Sequence, residues 1–396
     1  MQEHADKISP SSFFIKILGC QYNEWDGARI AYILKNLGLI ESSEKDADLI
    51  ILLNCSVRKT AVDRAMSWVK NWSGKKIILA GCILPDDRPK FLKKGVQIWD
   101  GEHLDELAKI IGAKATLLKT TSYPLKTNYI PIMKGCNNFC SYCAVPYTRG
   151  REVSRPMADI IADAEKMIAS GQKEIVLLGQ NVNSYSPSKI SVIPSFSSVI
   201  PAQAGIHKST NGSPAPTPPN LPSGRGGSLN LGMTNKKTKN DFAILLKKLN
   251  DLSGDFVIKF TSNHPKDMSD DIIEAIASLP KIAKEIHLPF QSGSNKILKA
   301  MNRPYTIEQY IALVEKIQRA IPEIILTTDT IVGFPGESEE DFRATAAILK
   351  KVDFAQAFNN KYSPREGTAA FALGDPIPWA EKERRWRMLD KISFKK

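Results

Sequence analysis

Short apolar strands alternate with helix-patterned segments along this 396-residue chain, and the alternation runs through it twice. In the first run, strands over Phe13–Leu18, Leu49–Leu53 and Lys76–Ala80 are separated by helical spacing over Asp26–Leu37 and Ala61–Val69. A strand that returns through a helix pairs in parallel, and the helices then cover both faces of the sheet. The pattern restarts near Tyr129, with strands expected at Ile130–Lys134, Glu174–Leu178, Phe256–Phe260, Glu285–Leu288, Ile324–Ile331 and Phe354–Tyr362. Helical segments fall between them at Met157–Ser170, Asp241–Leu252, Ser269–Ser278, Thr306–Ala320 and Glu339–Lys351. Six such units are too few to close an eight-stranded barrel and predict an open, partial (β/α)6 one, with its chemistry at the carboxyl ends of the strands. The expected division is an α/β parallel-sheet domain over residues 1–122, a barrel domain over 126–376 and a basic helix over 377–396.

One stretch breaks the alternation. Residues 186–239 are crowded with Pro, Ser, Gly, Asn and Thr, as in Ser-Pro-Ala-Pro-Thr-Pro-Pro. Such a composition buries too little apolar surface to offset the entropy of ordering, so a disordered insertion is expected. It follows the strand at Glu174–Leu178, which puts its anchors on the active face of the barrel.

Cysteine placement narrows the chemistry. Each of the three amino-terminal strands runs almost directly into a cysteine: Cys20, Cys55 and Cys82. Carboxyl ends of parallel strands share one edge, where ligands bind, so these thiols should converge. Lone cysteines are often simply buried, but three at equivalent strand ends favour convergence. The other three, Cys136, Cys140 and Cys143, share one tight loop, Gly135-Cys-Asn-Asn-Phe-Cys-Ser-Tyr-Cys. A cubane needs four ligands on four irons, so three thiolates leave one iron open to another ligand. A zinc loop would favour four ligands in paired Cys-x-x-Cys hooks, and no second hook follows.

Other classes fit poorly. Disulfide frameworks suit small exported chains, whereas this one is long and its polar start lacks the apolar core of a secretory signal. No apolar run approaches the length that crosses a bilayer, so a cytoplasmic protein without membrane contact is expected. The net charge of +12 favours a polyanionic partner, RNA or DNA, over an acidic one.

The loop Cys136–Cys143 is similar to that of radical-SAM enzymes, and longer motifs extend the likeness. Gly-Cys-Asn-Asn-Phe-Cys-Ser-Tyr-Cys-Ala-Val-Pro-Tyr-Thr-Arg-Gly-Arg-Glu-Val-Ser-Arg-Pro (135–156) resembles the methylthiotransferases. So do Leu-Leu-Gly-Gln-Asn-Val-Asn-Ser-Tyr (177–185), His-Leu-Pro-Phe-Gln-Ser-Gly-Ser (287–294), Met-Asn-Arg-Pro-Tyr (301–305) and Thr-Asp-Thr-Ile-Val-Gly-Phe-Pro-Gly-Glu (328–337). The amino-terminal Gly-Cys-Gln-Tyr-Asn, Asn-Cys-Ser-Val-Arg and Gly-Cys-Ile match as well.

The resemblance implies a flavodoxin-like first domain and two [4Fe-4S] clusters. Cys136, Cys140 and Cys143 would hold the catalytic one, with S-adenosylmethionine on its open iron; Cys20, Cys55 and Cys82 would hold the other. Expected S-adenosylmethionine contacts are Tyr142, Gly179, Gln180, Gly333, Gly336 and Glu337, and expected substrate contacts are Arg149, Gln291 and Arg303. His264 and His287 are expected to be structural. The implied reaction removes hydrogen from carbon 2 of an adenine, inserts sulfur there and methylates it from a second S-adenosylmethionine. Gly-Gln-Asn-Val-Asn-Ser-Tyr points to the branch acting on isopentenylated adenosine beside the tRNA anticodon. Branches acting on threonylcarbamoyladenosine or on a ribosomal-protein aspartate are the alternatives. A monomer that binds the tRNA anticodon stem-loop and takes electrons from flavodoxin or ferredoxin is expected. Members normally end in a small β-barrel that grips tRNA, and the expectation is that this chain lacks it. Two smaller departures are Gly27, where serine is usual, and Glu366, where proline is usual. An inactive iron–sulfur or RNA-binding remnant is the reading from a different class.

Overall fold

The computed structural model describes residues 10–55, 59–112, 127–187 and 240–393. Strands β1 (Ser12–Leu18), β2 (Ile40–Glu41), β3 (Leu49–Cys55), β4 (Lys76–Cys82) and β5 (Gln97–Ile98) form one sheet in the order β2-β1-β3-β4-β5. Every pairing in it is parallel. This is the flavodoxin-like order, whose switch point lies between β1 and β3.

The central strand explains why the sheet is covered on both sides. Leu49, Ile51 and Leu53 of β3 pack against helices α1 (Gln21–Asn36) and α4 (Leu104–Ile111). The alternate residues Ile50 and Leu52 pack against α2 (Lys59–Asn71) and α3 (Arg88–Leu92). A period of two thus splits a continuous apolar run between two helix layers.

The second unit begins with β6 (Tyr129–Pro131), β7 (Met133–Lys134) and β8 (Val153–Ser154). The single strand expected over 130–134 is two, because Ile132 changes ladder: its N–H donates to the Leu178 carbonyl, while its own carbonyl accepts from Arg155. The second piece pairs antiparallel with β8 and frames the cysteine loop. Strands β9 (Glu174–Leu178) and β10 (Val257–Phe260) join β6 in one parallel group, and β11 (Glu285–His287), β12 (Ile325–Val332) and β13 (Gln356–Lys361) form another. Six parallel strands in chain order, separated by α6 (Met157–Ala169), α7 (Asp241–Asn250), α8 (Asp270–Ser278), α10 (Ile307–Ala320) and α11 (Glu339–Lys351), make the open partial barrel. Two short helices, α5 (Val145–Thr148) and α9 (Asn295–Ala300), had no clear sequence signal.

Most of the low-complexity stretch, residues 188–239, lies outside the described residues. Its flanks meet: Ser186 Oγ donates to Asp241 Oδ2 at 2.7 Å. An insertion whose ends are already held together adds only the slowly growing entropy of loop closure, so the barrel tolerates its length.

The basic segment at the end is part of the barrel, not a tail. In α12 (Trp379–Ser393), Leu389 enters the barrel core, and Lys382 and Arg385 are buried. Arg385 Nη1 donates to Glu337 Oε2 at 2.6 Å, and Lys382 Nζ donates to the Tyr362 carbonyl at 3.1 Å. Leaving either cation unpaired would cost several kcal/mol, so these contacts fix the helix over the β12–β13 edge.

One close approach gives a test of the barrel. A Cβ on Gly293 would lie 2.5 Å from the carbonyl carbon and oxygen of Ala344, in the backbone of α11. No rotamer change relieves a clash with backbone, so α11 must shift. Gly293→Ala is expected to lower the free energy of urea unfolding by about 2–3 kcal/mol, at the upper end of overpacking costs.

Candidate active site at the junction of the two units

The upstream cysteines lie at neighbouring strand ends along one edge of the sheet. Leu18, Asn54 and Gly81 are cross-strand neighbours on β1, β3 and β4, and Cys55 is the ladder partner of Cys82. Cys20 follows β1 and begins α1, so Cys20 and Cys55 flank the switch point where such sheets bind ligands. The strands run one step further than expected, ending on Cys55 and Cys82 rather than before them. Cys82 is buried, Cys55 half-buried and Cys20 exposed, and none of the six cysteines forms a disulfide.

A small polar framework fixes this trio. Asn23 is fully buried and donates to the Asn54 carbonyl at 3.0 Å. A Cβ on Gly19 would lie 2.1 Å from Asn23 Nδ2, and one on Gly81 would lie 2.6 Å from the Asn54 carbonyl. The glycines before Cys20 and Cys82 therefore make room for this framework. Beside Cys55, the buried Asn54 side chain has neither polar atom partnered among the described residues. Three thiols with an orphaned amide beside them fit a group rich in thiolate and sulfide.

The downstream loop is held from two sides. Gln180 Oε1 accepts from Gly135 N–H at 2.6 Å, and the Gly150 carbonyl accepts from Cys136 N–H at 3.1 Å. Desolvation pushes the Cys136 thiol up to about 11 and the Cys143 thiol to about 12. Such thiols stay protonated at neutral pH, so binding a metal there must release protons. Arg303 is buried and fully committed: Nη1 donates to Cys140 Sγ at 3.5 Å, Nη2 to the Pro289 carbonyl and Nε to Tyr305.

A cavity of about 240 Å³ opens beside this loop, lined by Tyr142, Cys143, Gln291, Asp329, Asn360 and Tyr362, among others. Gln291 holds a left-handed backbone (φ 67°), and its buried Oε1 has no partner among the described residues. Strain together with an unmet acceptor beside a cavity marks a ligand position. The cavity therefore offers a ligand one unmet acceptor beside Cys143.

The expected site residues divide into three groups. Tyr142 and Gln291 line the cavity. Gln180 and Glu337 support loops: the Glu337 carboxylate accepts from Gly333 N–H at 2.6 Å and from Arg385. Gly333 and Gly336 have positive φ, and Gly333 lies against the Lys382 stem. Gly179 packs against Met133. Arg149 and Arg303, expected at the substrate, are buried and hydrogen-bonded to Cys82 and Cys140 respectively. Their planar, multi-donor cations reach sulfur because the fold buries the loops that carry them. Burial of His264, with Arg303 and Lys266 nearby, holds its pKa near 2, and its neutral ring accepts from Lys266 N–H. His287 is held between Thr327 and Asp329.

Sequence reasoning missed Asn23, Asp26, Asp329, Asn360, Lys382 and Arg385. Asn23 and Asp329 lie within the quoted motifs, so a signal was present, but their roles depend on distant partners. Among the described residues no helix is long and apolar enough to cross a membrane.

Comparison with known proteins agrees with both units. Residues 130–349 match the radical SAM superfamily, and residues 12–100 match the uncharacterized protein family UPF0004. The tRNA-2-methylthio-N(6)-dimethylallyladenosine synthase of Syntrophomonas wolfei is 37% identical, the match covering 97% of this chain and 82% of the relative. That of Carboxydothermus hydrogenoformans is 36% identical over 97% of this chain and 84% of its own length. The radical S-adenosylmethionine methyltransferase TsrM from Kitasatospora setae, solved with cobalamin and a [4Fe-4S] cluster, superposes with a TM-score of 0.57 at 12% identity. It covers 91% of this chain and 77% of its own, a likeness of fold alone. With three thiols at strand ends, three more on one loop and relatives that align across nearly its whole length, the chain belongs to the radical-SAM methylthiotransferase family.

Proposed function

We propose that this enzyme adds a methylthio group to carbon 2 of N6-isopentenyladenosine beside the anticodon of tRNA. The carrying observation is the placement of two separate cysteine trios, one per unit, joined at the junction by Arg149. When bound, a [4Fe-4S] cluster with S-adenosylmethionine supplies the radical that activates the C–H bond, and a second [4Fe-4S] cluster supplies sulfur. Cys136, Cys140 and Cys143 hold the first cluster, and Cys20, Cys55 and Cys82 the second. Tyr142 positions S-adenosylmethionine in the cavity, and Gln291, which lines the same cavity, meets the substrate through its unmet acceptor. Gly333 and Gly336 shape the loop below it, and Glu337 and Arg385 hold that loop in place.

The functional units are residues 1–122 and 126–376, with 186–239 inserted in the second and 377–396 as its closing helix. The enzyme works as a cytoplasmic monomer on the tRNA anticodon stem-loop, with electrons from flavodoxin or ferredoxin. The net charge of +12 suits that polyanionic partner.

Mass spectrometry of tRNA nucleosides from cells lacking the gene tests the reading. Loss of methylthio-isopentenyladenosine, with its unmethylthiolated precursor accumulating, is expected. An unchanged level, with loss instead of methylthio-threonylcarbamoyladenosine or of ribosomal-protein aspartate modification, moves the enzyme to one of the other branches.

A further inference from the structure

Arg149 follows α5, six residues after the last cysteine of the radical loop, yet its side chain leaves its own unit. Nε donates to Cys82 Sγ at 2.9 Å, and Nη2 donates to Asn23 Oδ1 at 2.6 Å and Asp26 Oδ2 at 3.1 Å. The guanidinium carbon lies 4.1 Å from the centre of the Tyr22 ring. All four partners belong to the amino-terminal unit, and Arg149 is 9% exposed. The downstream trio has a counterpart in Arg303, which bonds Cys140 but comes from the same unit as its cysteine. Each trio thus carries one buried guanidinium on one sulfur, and only the upstream trio borrows it from the other unit.

A cation that donates to a cluster thiolate stabilises the reduced, more negative state more than the oxidised one. Asp26 offsets part of the cost of burying the guanidinium, and the rigid Asn23 framework fixes its direction. The Nε–H is then left aimed at sulfur. We propose that Arg149 is a positioning residue that raises the reduction potential of the cluster on Cys20, Cys55 and Cys82. Because the guanidinium reaches Cys82 from the barrel unit, the sulfur-bearing centre acquires its working potential only when docked against the radical site. This rests on the two-cluster reading above.

The test is an anaerobic dithionite titration of the reconstituted full chain, one electron per cluster, followed by electron paramagnetic resonance. Cys136, Cys140 and Cys143 are replaced by alanine so that only the upstream signal remains. Adding Arg149→Met is expected to lower the midpoint by at least about 59 mV, a tenfold fall in the reduced-to-oxidised ratio at fixed potential for a one-electron couple. Arg149→Lys, which keeps a cation for Asp26 but loses the aimed Nε–H, is expected to shift it in the same direction by less. It carries the test if the methionine variant fails to hold iron. An unmoved midpoint with iron retained overturns the proposal and leaves Arg149 a packing residue. Absence of iron from the upstream trio with Arg149 intact overturns the two-cluster reading instead.

Discussion

Cys55→Ala is expected to reconstitute with about four irons per chain where the parent holds about eight. Cys55 ends the buried central strand beside Cys82, and its removal leaves the upstream group two thiolates, Cys20 after β1 and Cys82 on β4, with β3 between them. The downstream trio sits on a loop of the other unit, framed by β7, β8 and Gln180. Cleavage of S-adenosylmethionine to deoxyadenosine should therefore continue, while methylthiolated tRNA falls to background. The substitution itself is small: a half-buried thiol becomes a methyl, a change that costs about 1 kcal/mol or less in packing. Loss of product with deoxyadenosine retained would assign sulfur delivery to the upstream trio. Full iron content in the variant would remove that trio from metal binding altogether.

Gly135→Ala is expected to act on the opposite centre, and with a larger structural effect. Gly135 has φ +79°, a left-handed backbone that costs an L side chain about 1–2 kcal/mol. The steric term is larger still. A Cβ there would lie 2.0 Å from the Arg151 carbonyl oxygen, 2.5 Å from its carbon and 2.6 Å from the Gly150 oxygen. All three are backbone atoms, so no side-chain rotation relieves the overlap, and the cysteine loop must move away from the 150–151 turn. That movement breaks the Cys136–Gly150 hydrogen bond and pulls Gly135 N–H from Gln180. A displacement of about an ångström at reacting atoms costs roughly 100-fold in rate. Deoxyadenosine formation should fall at least that far, with iron reduced toward about four per chain. Near-parent deoxyadenosine formation would show that the loop is held by its cysteines rather than by the glycine turn. The two variants together assign iron and chemistry to each trio separately, because one keeps what the other loses.

Several expectations were legible because they depend on local spacing. The Cys-x-x-x-Cys-x-x-Cys loop needs only eight residues to state its chemistry. The strands reading Leu-Ile-Ile-Leu-Leu and Lys-Ile-Ile-Leu-Ala are apolar on both faces, which only a covered parallel sheet accommodates. The placement of Cys20, Cys55 and Cys82 along one sheet edge was also legible, since parallel strands present their carboxyl ends on one edge. Boundaries were less legible. The split at Ile132 cannot be read from an unbroken apolar run, because the partners that define it, Leu178 and Arg155, lie more than twenty residues away.

Charged residues were the least legible. Arg149, Arg303, Lys382 and Arg385 look on the page like surface or substrate cations, yet all four are buried. Burial of a cation depends on whether the fold supplies a carboxylate, carbonyl or sulfur at the right distance. For Arg149 those groups come from the other unit; for Lys382 and Arg385 they come from Tyr362, just after β13, and from the loop after β12.

By itself, then, the sequence determined the two βα series, the two sets of three thiols and the family to which they belong, because each is a matter of period or spacing within a short segment. Only the tertiary structure decided that α12 closes the barrel, that Glu337 supports a loop, and that Arg149 leaves the radical loop to bond Cys82. Those outcomes are contacts between residues far apart in the chain, and no local pattern carries the geometry that brings them together.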